Sequence, residues 1–442
     1  MDLLKDDVKK LYLKYLFAAL GSSIISCIYS VVDTAMVGKY QGPQGTAALA
    51  VVAPVWNIIY SLGLLTGVGG GILFSTIKGK GDKTTLSNQY FTVSFIISIF
   101  LSIITWLVFI FFKNPILTFF GADAELLELA TTYIKPIMFV LPLFLINQWL
   151  AAFLRNDNDQ NLAMAGVLAG GIFNIFGDYF FVFTCDMGIF GAGIATAIGA
   201  GITFIVLMIH FLKKKNTIKL VKITRFFTKT KEILVNGFSS FFVDFAMGIL
   251  TVIFNRQIMH YLGNDALSVY GTIIMISTFT QCCAYGVGQA SQPIISFNYG
   301  AKQNDRIKKV LKYSLFTCLI FGLLWTMSCF IYPNMYIYLF MSPTENILEI
   351  APLIIGLYGI SFLLLPINIF STYYFQAILK PRVALVISIA RGLVLSAGLL
   401  MLLPLIHANA IWLTMPIVEL IVLIYVVIRM IQCTRKLKET NI

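Results

Sequence analysis

The chain has 442 residues, of which 58% are hydrophobic and only 12% charged, and its mean hydropathy is +0.86. Soluble domains carry about 25% charged residues, so this composition excludes a soluble enzyme or a nucleic-acid binder and predicts a chain that buries its surface in lipid. At ~20 to 25 residues per spanning helix there is room for roughly twelve spans.

Apolar segments long enough to cross a membrane predict helices near 11–37, 47–77, 90–112, 126–153, 162–184 and 188–212, then near 233–260, 266–297, 307–331, 346–378, 383–404 and 410–430. The fold class is therefore an all-α membrane protein of twelve transmembrane helices. The first apolar run continues well past signal-peptide length and reads as a retained span. The N-terminal segment, the loops near 78–89, 155–161, 213–232, 302–312 and 380–382, and the C-terminal tail hold most of the 32 Lys and Arg. The +12 formal charge thus follows the positive-inside rule, with both termini cytoplasmic. The alternate loops carry acids such as Asp123, Glu125, Asp186, Asp265 and Glu345 and are expected to face outward. The most basic loop, with eight Lys or Arg between Lys213 and Lys231, reads as a solvated cytoplasmic linker near anionic headgroups. The expected organisation is an N-lobe over 1–212, the linker over 213–232 and a C-lobe over 233–442.

The two halves repeat at an offset of about 218 residues. Gly45 with Ala48-Leu49 matches Gly263 with Ala266-Leu267. Gly67-Val68-Gly69 followed by Gly81 matches Gly286-Val287-Gly288 followed by Gly300, and Pro142 leading to Arg155 matches Pro366 leading to Lys380. Six spans is an even number, so both units enter the membrane in the same direction. Parallel repeats of this kind are a transporter architecture and imply a central cavity between two six-helix lobes, open to either side in turn.

An ionisable group in hydrocarbon costs ~2.5 to 3.5 kcal/mol on insertion scales and is a functional candidate by default. Five stand out: Asp33, Asp178, Asp244, Arg391 and Glu419. Asn174 and Asp178 are four apart and share a helix face. The rise of ~1.5 Å per residue puts Asp178 roughly 10 Å below the outer loop, Thr196 at about the same depth on the returning helix, and Asp33 in the same outer half. Two carboxylates, an amide oxygen and a hydroxyl at one depth suit a sodium ion or a shared proton. The alternative for each is a structural role, hydrogen bonding to a neighbouring helix. Asp244, near mid-membrane in the second half, is a substrate-cavity candidate for cationic cargo or else a polar anchor, and Arg391 with Glu419 is a candidate buried pair, more structural than functional. Prolines 54, 136, 142, 293, 352, 366 and 416 fall within spans and are candidate hinges.

Other chemistry lacks its signature. Lys78-Gly79-Lys80-Gly81 is the nearest approach to a P-loop and lacks the glycine spacing and the Ser/Thr. His210, His260 and His407 have no metal-ligand spacing, and the seven cysteines form no Cys-x-x-Cys pair. An intramembrane aspartyl protease on Asp33 and Asp178 would want tyrosine before the first aspartate, where Val32 stands. No enzyme, cofactor or bound metal beyond sodium is expected, and the energy must come from an ion gradient.

Val32-Asp33-Thr34-Ala35-Met36-Val37-Gly38, Gly67-Val68-Gly69-Gly70-Gly71, Asn255-Arg256-Gln257, Gly286-Val287-Gly288-Gln289-Ala290-Ser291-Gln292-Pro293 with Asn298-Tyr299-Gly300-Ala301, and Lys380-Pro381-Arg382 leading to Arg391 make the chain resemble the multidrug and toxic compound extrusion (MATE) transporters, in their prokaryotic multidrug branch, from first span to last. The resemblance implies a secondary antiporter of the prokaryotic inner or plasma membrane. It would export amphipathic, cationic drugs or dyes in exchange for protons or sodium by alternating access, as a monomer and without a nucleic-acid partner. It also implies that Asp33, Asn174, Asp178 and Thr196 match the family's cation or proton site, and, less securely, that Asp244 answers to its acidic seventh span. A lipid-linked precursor flippase of the same wider superfamily is the alternative; such flippases tend to carry extra helices and a cationic cavity, whereas this chain has mostly acids inside.

Overall fold

The computed structural model describes residues 2–81, 85–341 and 343–439, and among these no strand is found. The first 72-residue helix is interrupted at Gly42, whose φ of 71° and ψ of −160° lie where only glycine sits without cost. Pro43 follows, with its φ preset for a helix start and no N–H to satisfy. This one position divides α1 (8–41) from α2 (43–79), whereas hydropathy predicts a loop from 38 to 46. Next come α3 (Leu86–Phe119), α4 (Ala124–Ile137 continued, after a 61° bend, by Leu141–Asn156), α5 (Gln160–Thr184) and α6 (Gly188–Leu212). Pro136 and Pro142 flank the bend in α4, where the missing N–H groups weaken the helix ladder.

The second half contains α7 (Phe226–Tyr261), α8 (Gly263–Gly300), α9 (Asn304–Ile331), α10 (Glu345–Ala377), α11 (Pro381–Ile406) and α12 (Ala408–Arg435). A short helix, Pro333–Phe340, precedes α10 and has no counterpart in the hydropathy reading. With α1 and α2 separated and the two parts of α4 joined, the described helices make twelve spans, as the composition predicts. Five-residue π-helical turns occur at Phe180–Thr184 in α5 and Ala390–Val394 in α11, the fifth span of each half. Such turns frequently mark functional sites.

The chain forms two compact units, one of Phe17–Phe241 and one of Asp2–Leu16 with Phe242–Ile442. In the first, Trp149 packs 5.3 Å from Phe91 and 5.2 Å from Phe153 between ring centroids, and its indole N–H donates to Ser94 Oγ at 2.8 Å. In the second, Phe254, Tyr270, Tyr358 and Trp412 form the corresponding aromatic core. Only 22% of the most apolar stretch of α3, and likewise of α9, is buried; their exposed Phe and Leu faces suit lipid.

Each unit also receives a strap. Residues 213–225 lie along α3, where the Lys219 amide donates to Asn88 Oδ1 at 3.0 Å, the Val221 amide to Thr92 Oγ1 at 3.1 Å and Thr224 Oγ1 to Gln89 Oε1 at 2.8 Å, with Ile218 buried. Its main chain is fastened by side chains of α3, while most of its own side chains stay exposed. In the second unit, residues 2–16 are held by the start of α9, where Arg306 Nη2 donates to the carbonyls of Leu3 at 3.1 Å and Asp6 at 2.8 Å.

Candidate functional site

Small residues build the first unit's polar centre. A Cβ on Gly170 of α5 would lie 2.5 Å from the Gly199 carbonyl oxygen of α6, and one on Gly199 would lie 2.9 Å from the Gly170 oxygen. The two backbones therefore touch, as small-residue seams allow in membranes. One turn away, after Gly170 in α5 and before Gly199 in α6, that contact sets Asn174 against Thr196, with Asn174 Nδ2 donating to Thr196 Oγ1 at 3.2 Å and to Asp178 Oδ1 at 3.4 Å. Gly193 of α6 gives the same close approach to α4: a Cβ there would meet the Tyr133 carbonyl at 2.1 Å.

Tyr133 joins the third element. Its hydroxyl donates to Asp33 Oδ2 of α1 at 2.9 Å and lies 3.4 Å from Thr196 Oγ1. Asp33, Asn174, Asp178 and Thr196 are thus brought into one group, with Asp33 linked to the α5–α6 residues through Tyr133. Asp178 is fully buried, and Asp33 and Asn174 nearly so. Asp33 Oδ1, Asn174 Oδ1 and Asp178 Oδ2 are buried without a hydrogen-bond partner. Buried oxygens rarely stay unsatisfied, and two carboxylates in a dry site cannot both carry charge cheaply. Three free oxygens at such a site can hold a hard cation or accept protons.

Tyr133 was not among the residues that the sequence singled out. Intramembrane tyrosine is cheap, so an ionisable-residue scan passes over it. The depth rule that selects Thr196, eight residues past Gly188, would have selected Tyr133, nine residues past the start of α4 at Ala124. Towards the same end of this unit a cavity of about 690 Å³ is lined by Tyr40, Gln41, Glu125, Glu128, Thr132 and Asp186, among others.

In the second unit Asp244 of α7 is half-buried and its Oδ1 accepts from the Tyr285 hydroxyl of α8 at 3.2 Å. Arg391 Nε donates to Glu419 Oε1 at 2.6 Å, and Asn368 Nδ2 donates to Glu419 Oε2 at 2.6 Å. Arg391 stands on the π-helical turn of α11, which brings its guanidinium to α12. Among the described residues no group of three or more His, Cys, Asp or Glu has metal-holding geometry. The candidate hinge prolines lie inside helices; in the first unit the helical backbone is interrupted at Gly42 and at Phe112 and bends by 61° at 138–140 of α4.

The MatE family model matches the chain twice, over residues 18–180 and 239–402. A multidrug export protein MepA of Staphylococcus saprophyticus is 27% identical over 379 residues, covering 84% of this chain and 82% of its own. MepA of Staphylococcus aureus (strain MSSA476) is 27% identical over 397 residues, covering 88% and 86%. Two solved structures share the fold with a TM-score of 0.88, 21% identity and coverage of 99% of this chain and 98% of theirs: an outward-facing multidrug resistance MATE family transporter of the MOP superfamily and a MOP superfamily transporter from Pyrococcus furiosus described as having a binding pocket of reverse polarity.

Proposed function

From the premise that this chain belongs to the MatE family, we propose that it is a multidrug efflux transporter working as a proton- or sodium-driven antiporter for amphipathic, cationic compounds. The observation that carries this reading is the cluster of three buried, unpartnered oxygens from Asp33, Asn174 and Asp178. Loading that cluster with a proton or sodium ion neutralises a charge that the dry interior otherwise tolerates poorly. A site that is stable in one state only when loaded, and in the other only when empty, gives the differential affinity that alternating access requires. Tyr133 and Thr196 hold the α1 and α5–α6 parts of the cluster together, so loading is felt by all four helices.

Asp244, half-buried in the second unit, supplies the negative charge that favours cationic cargo. The protein works as a monomer, because one chain carries both six-helix halves. It resides in the cell membrane with both termini in the cytoplasm, a topology supported by the basic loops at 78–81, 213–231 and 302–312.

The test is cationic-dye efflux from proteoliposomes containing the wild type, Asp33→Asn or Asp178→Asn. Both variants are expected to insert and fold yet lose gradient-driven efflux. Full transport by both would remove the cluster from the mechanism.

A further inference from the structure

His210, at the last turn of α6, is 1% exposed and lies between two carboxylates that neither the coupling site nor the cargo site uses. Its Nε2 is 2.9 Å from Asp157 Oδ2 and its Nδ1 is 2.9 Å from Asp159 Oδ2. A neutral imidazole carries one N–H and one bare lone pair, so it can satisfy only one such carboxylate, whereas the imidazolium donates to both. The geometry therefore fits the charged ring.

Two further charged groups reach the same carboxylates. From α2, Lys78 Nζ reaches Asp157 Oδ1 at 2.6 Å, and from the strap Lys213 Nζ reaches Asp159 Oδ2 at 2.8 Å. The Thr217 amide of the strap donates to the same Asp157 oxygen as His210, at 3.0 Å, and the Thr217 hydroxyl also contacts Asp157 and Lys78. The imidazolium thus fixes the carboxylate on which the strap's main chain is fastened. Past the strap, α7 begins at Phe226.

We infer that His210 is a pH-sensitive latch: protonated, it fastens residues 213–221 to the end of the first unit, and on losing its proton at alkaline pH it releases them. The deprotonated nitrogen would present a lone pair to a carboxylate 2.9 Å away, one of the two contacts must open, and the strap's anchor moves with it. The other strap supplies the contrast, since residues 2–16 are fastened by Arg306, whose charge does not titrate. The latch does not depend on the proposed transport reaction.

The experiment is hydrogen–deuterium exchange of the full-length protein in lipid nanodiscs, with the same pH on both sides, from pH 6 to pH 9 and corrected for the intrinsic base catalysis of exchange. Protection of the Thr217, Lys219 and Val221 amides is expected to fall roughly tenfold or more across that range, as for loss of a charge-assisted hydrogen bond, while protection of residues 3–12 stays level. In His210→Gln the step is expected to vanish. In Asp159→Asn, which retains the ring but removes one carboxylate, it is expected to move to lower pH. A level profile in the wild type, or a step that survives His210→Gln, would overturn the latch. Histidine NMR of this chain, with His260 and His407 as the other two signals, gives an independent check: a His210 resonance neutral throughout this range would also overturn it. Because none of these readings measures transport, their failure is separable from failure of the antiport mechanism.

Discussion

Removing Glu419 alone should be far worse than removing Glu419 and Arg391 together. Arg391 Nε lies 2.6 Å from Glu419 Oε1, with side chains 6% and 0% exposed. Glu419→Leu therefore leaves a guanidinium in the interior without its counterion, a loss of about 3–5 kcal/mol for a broken buried pair. Arg391→Met leaves the carboxylate with Asn368 as its neutral donor at 2.6 Å, a similar loss slightly offset by that bond. The double variant leaves no charge in this contact, and Asn368 Nδ2 retains the Glu419 main-chain carbonyl at 2.9 Å, so it should fall within about 1 kcal/mol of the wild type, as apolar replacements of buried pairs often do. In a unit of roughly 200 residues each kcal/mol moves Tm by about 2–4 °C. The single variants should therefore melt ~6–20 °C lower and the double within ~4 °C of the wild type, read by intrinsic fluorescence in detergent. Small, additive losses in all three proteins would refute the claim that this pair is a tightly coupled, desolvated contact. Transport by the double variant then separates roles: retained efflux makes the pair structural, and lost efflux with normal Tm makes it part of the transport cycle.

Tyr133→Phe keeps the buried ring but deletes both hydroxyl contacts, to Asp33 and Thr196; ion-driven efflux should weaken about tenfold or more at normal folded yield, and unchanged kinetics would take Tyr133 out of the site. Gly237→Ala should prevent stable folding, because its Cβ would sit 1.8 Å from the Leu65 carbonyl oxygen, whereas Gly201→Ala, with nothing within 4 Å, should be neutral or up to ~1 kcal/mol more stable; equal melting temperatures for the two would contradict the close α2–α7 packing. Burial alone would hinder ionisation of Asp157, but His210, Lys78 and Thr217 hold its carboxyl below the ordinary carboxylate range, and for Asp159 His210 and Lys213 likewise outweigh burial. Carboxyls held low contribute stability that is present above the ordinary value near ~3.9 and is lost as pH falls through their folded values. Melting of the wild type should therefore drop more steeply below about pH 4 than melting of Asp157→Asn, and parallel profiles would deny these contacts a role in stability.

The membrane class and the twelve spans were legible because insertion into lipid depends on summed apolar surface, which the sequence states directly. The α1–α2 junction reads as a loop in the sequence because Lys39, Gln41 and Gln44 are polar; hydropathy measures transfer into lipid and does not register a helix that continues beyond it. Asp33, Asn174, Asp178 and Thr196 were legible through cost and depth. Tyr133 and Asn368 were not, because neither is an acid or base charged at neutral pH and neither lies one turn from such a residue on its own helix. Least legible was the strap along α3. Its main-chain donors use Asn88 and Thr92, and His210 meets Asp157 and Asp159 from another helix, so neither hydropathy nor local spacing signals those pairings.

The most direct test of the central claim is cationic-dye efflux in proteoliposomes with proton and sodium gradients imposed one at a time, comparing the wild type with Asp33→Asn and Asp178→Asn. One of the two gradients should drive efflux by the wild type, and neither should drive it in the folded variants. Efflux that proceeds without either gradient, or that survives in both variants, would contradict ion-coupled antiport through this cluster.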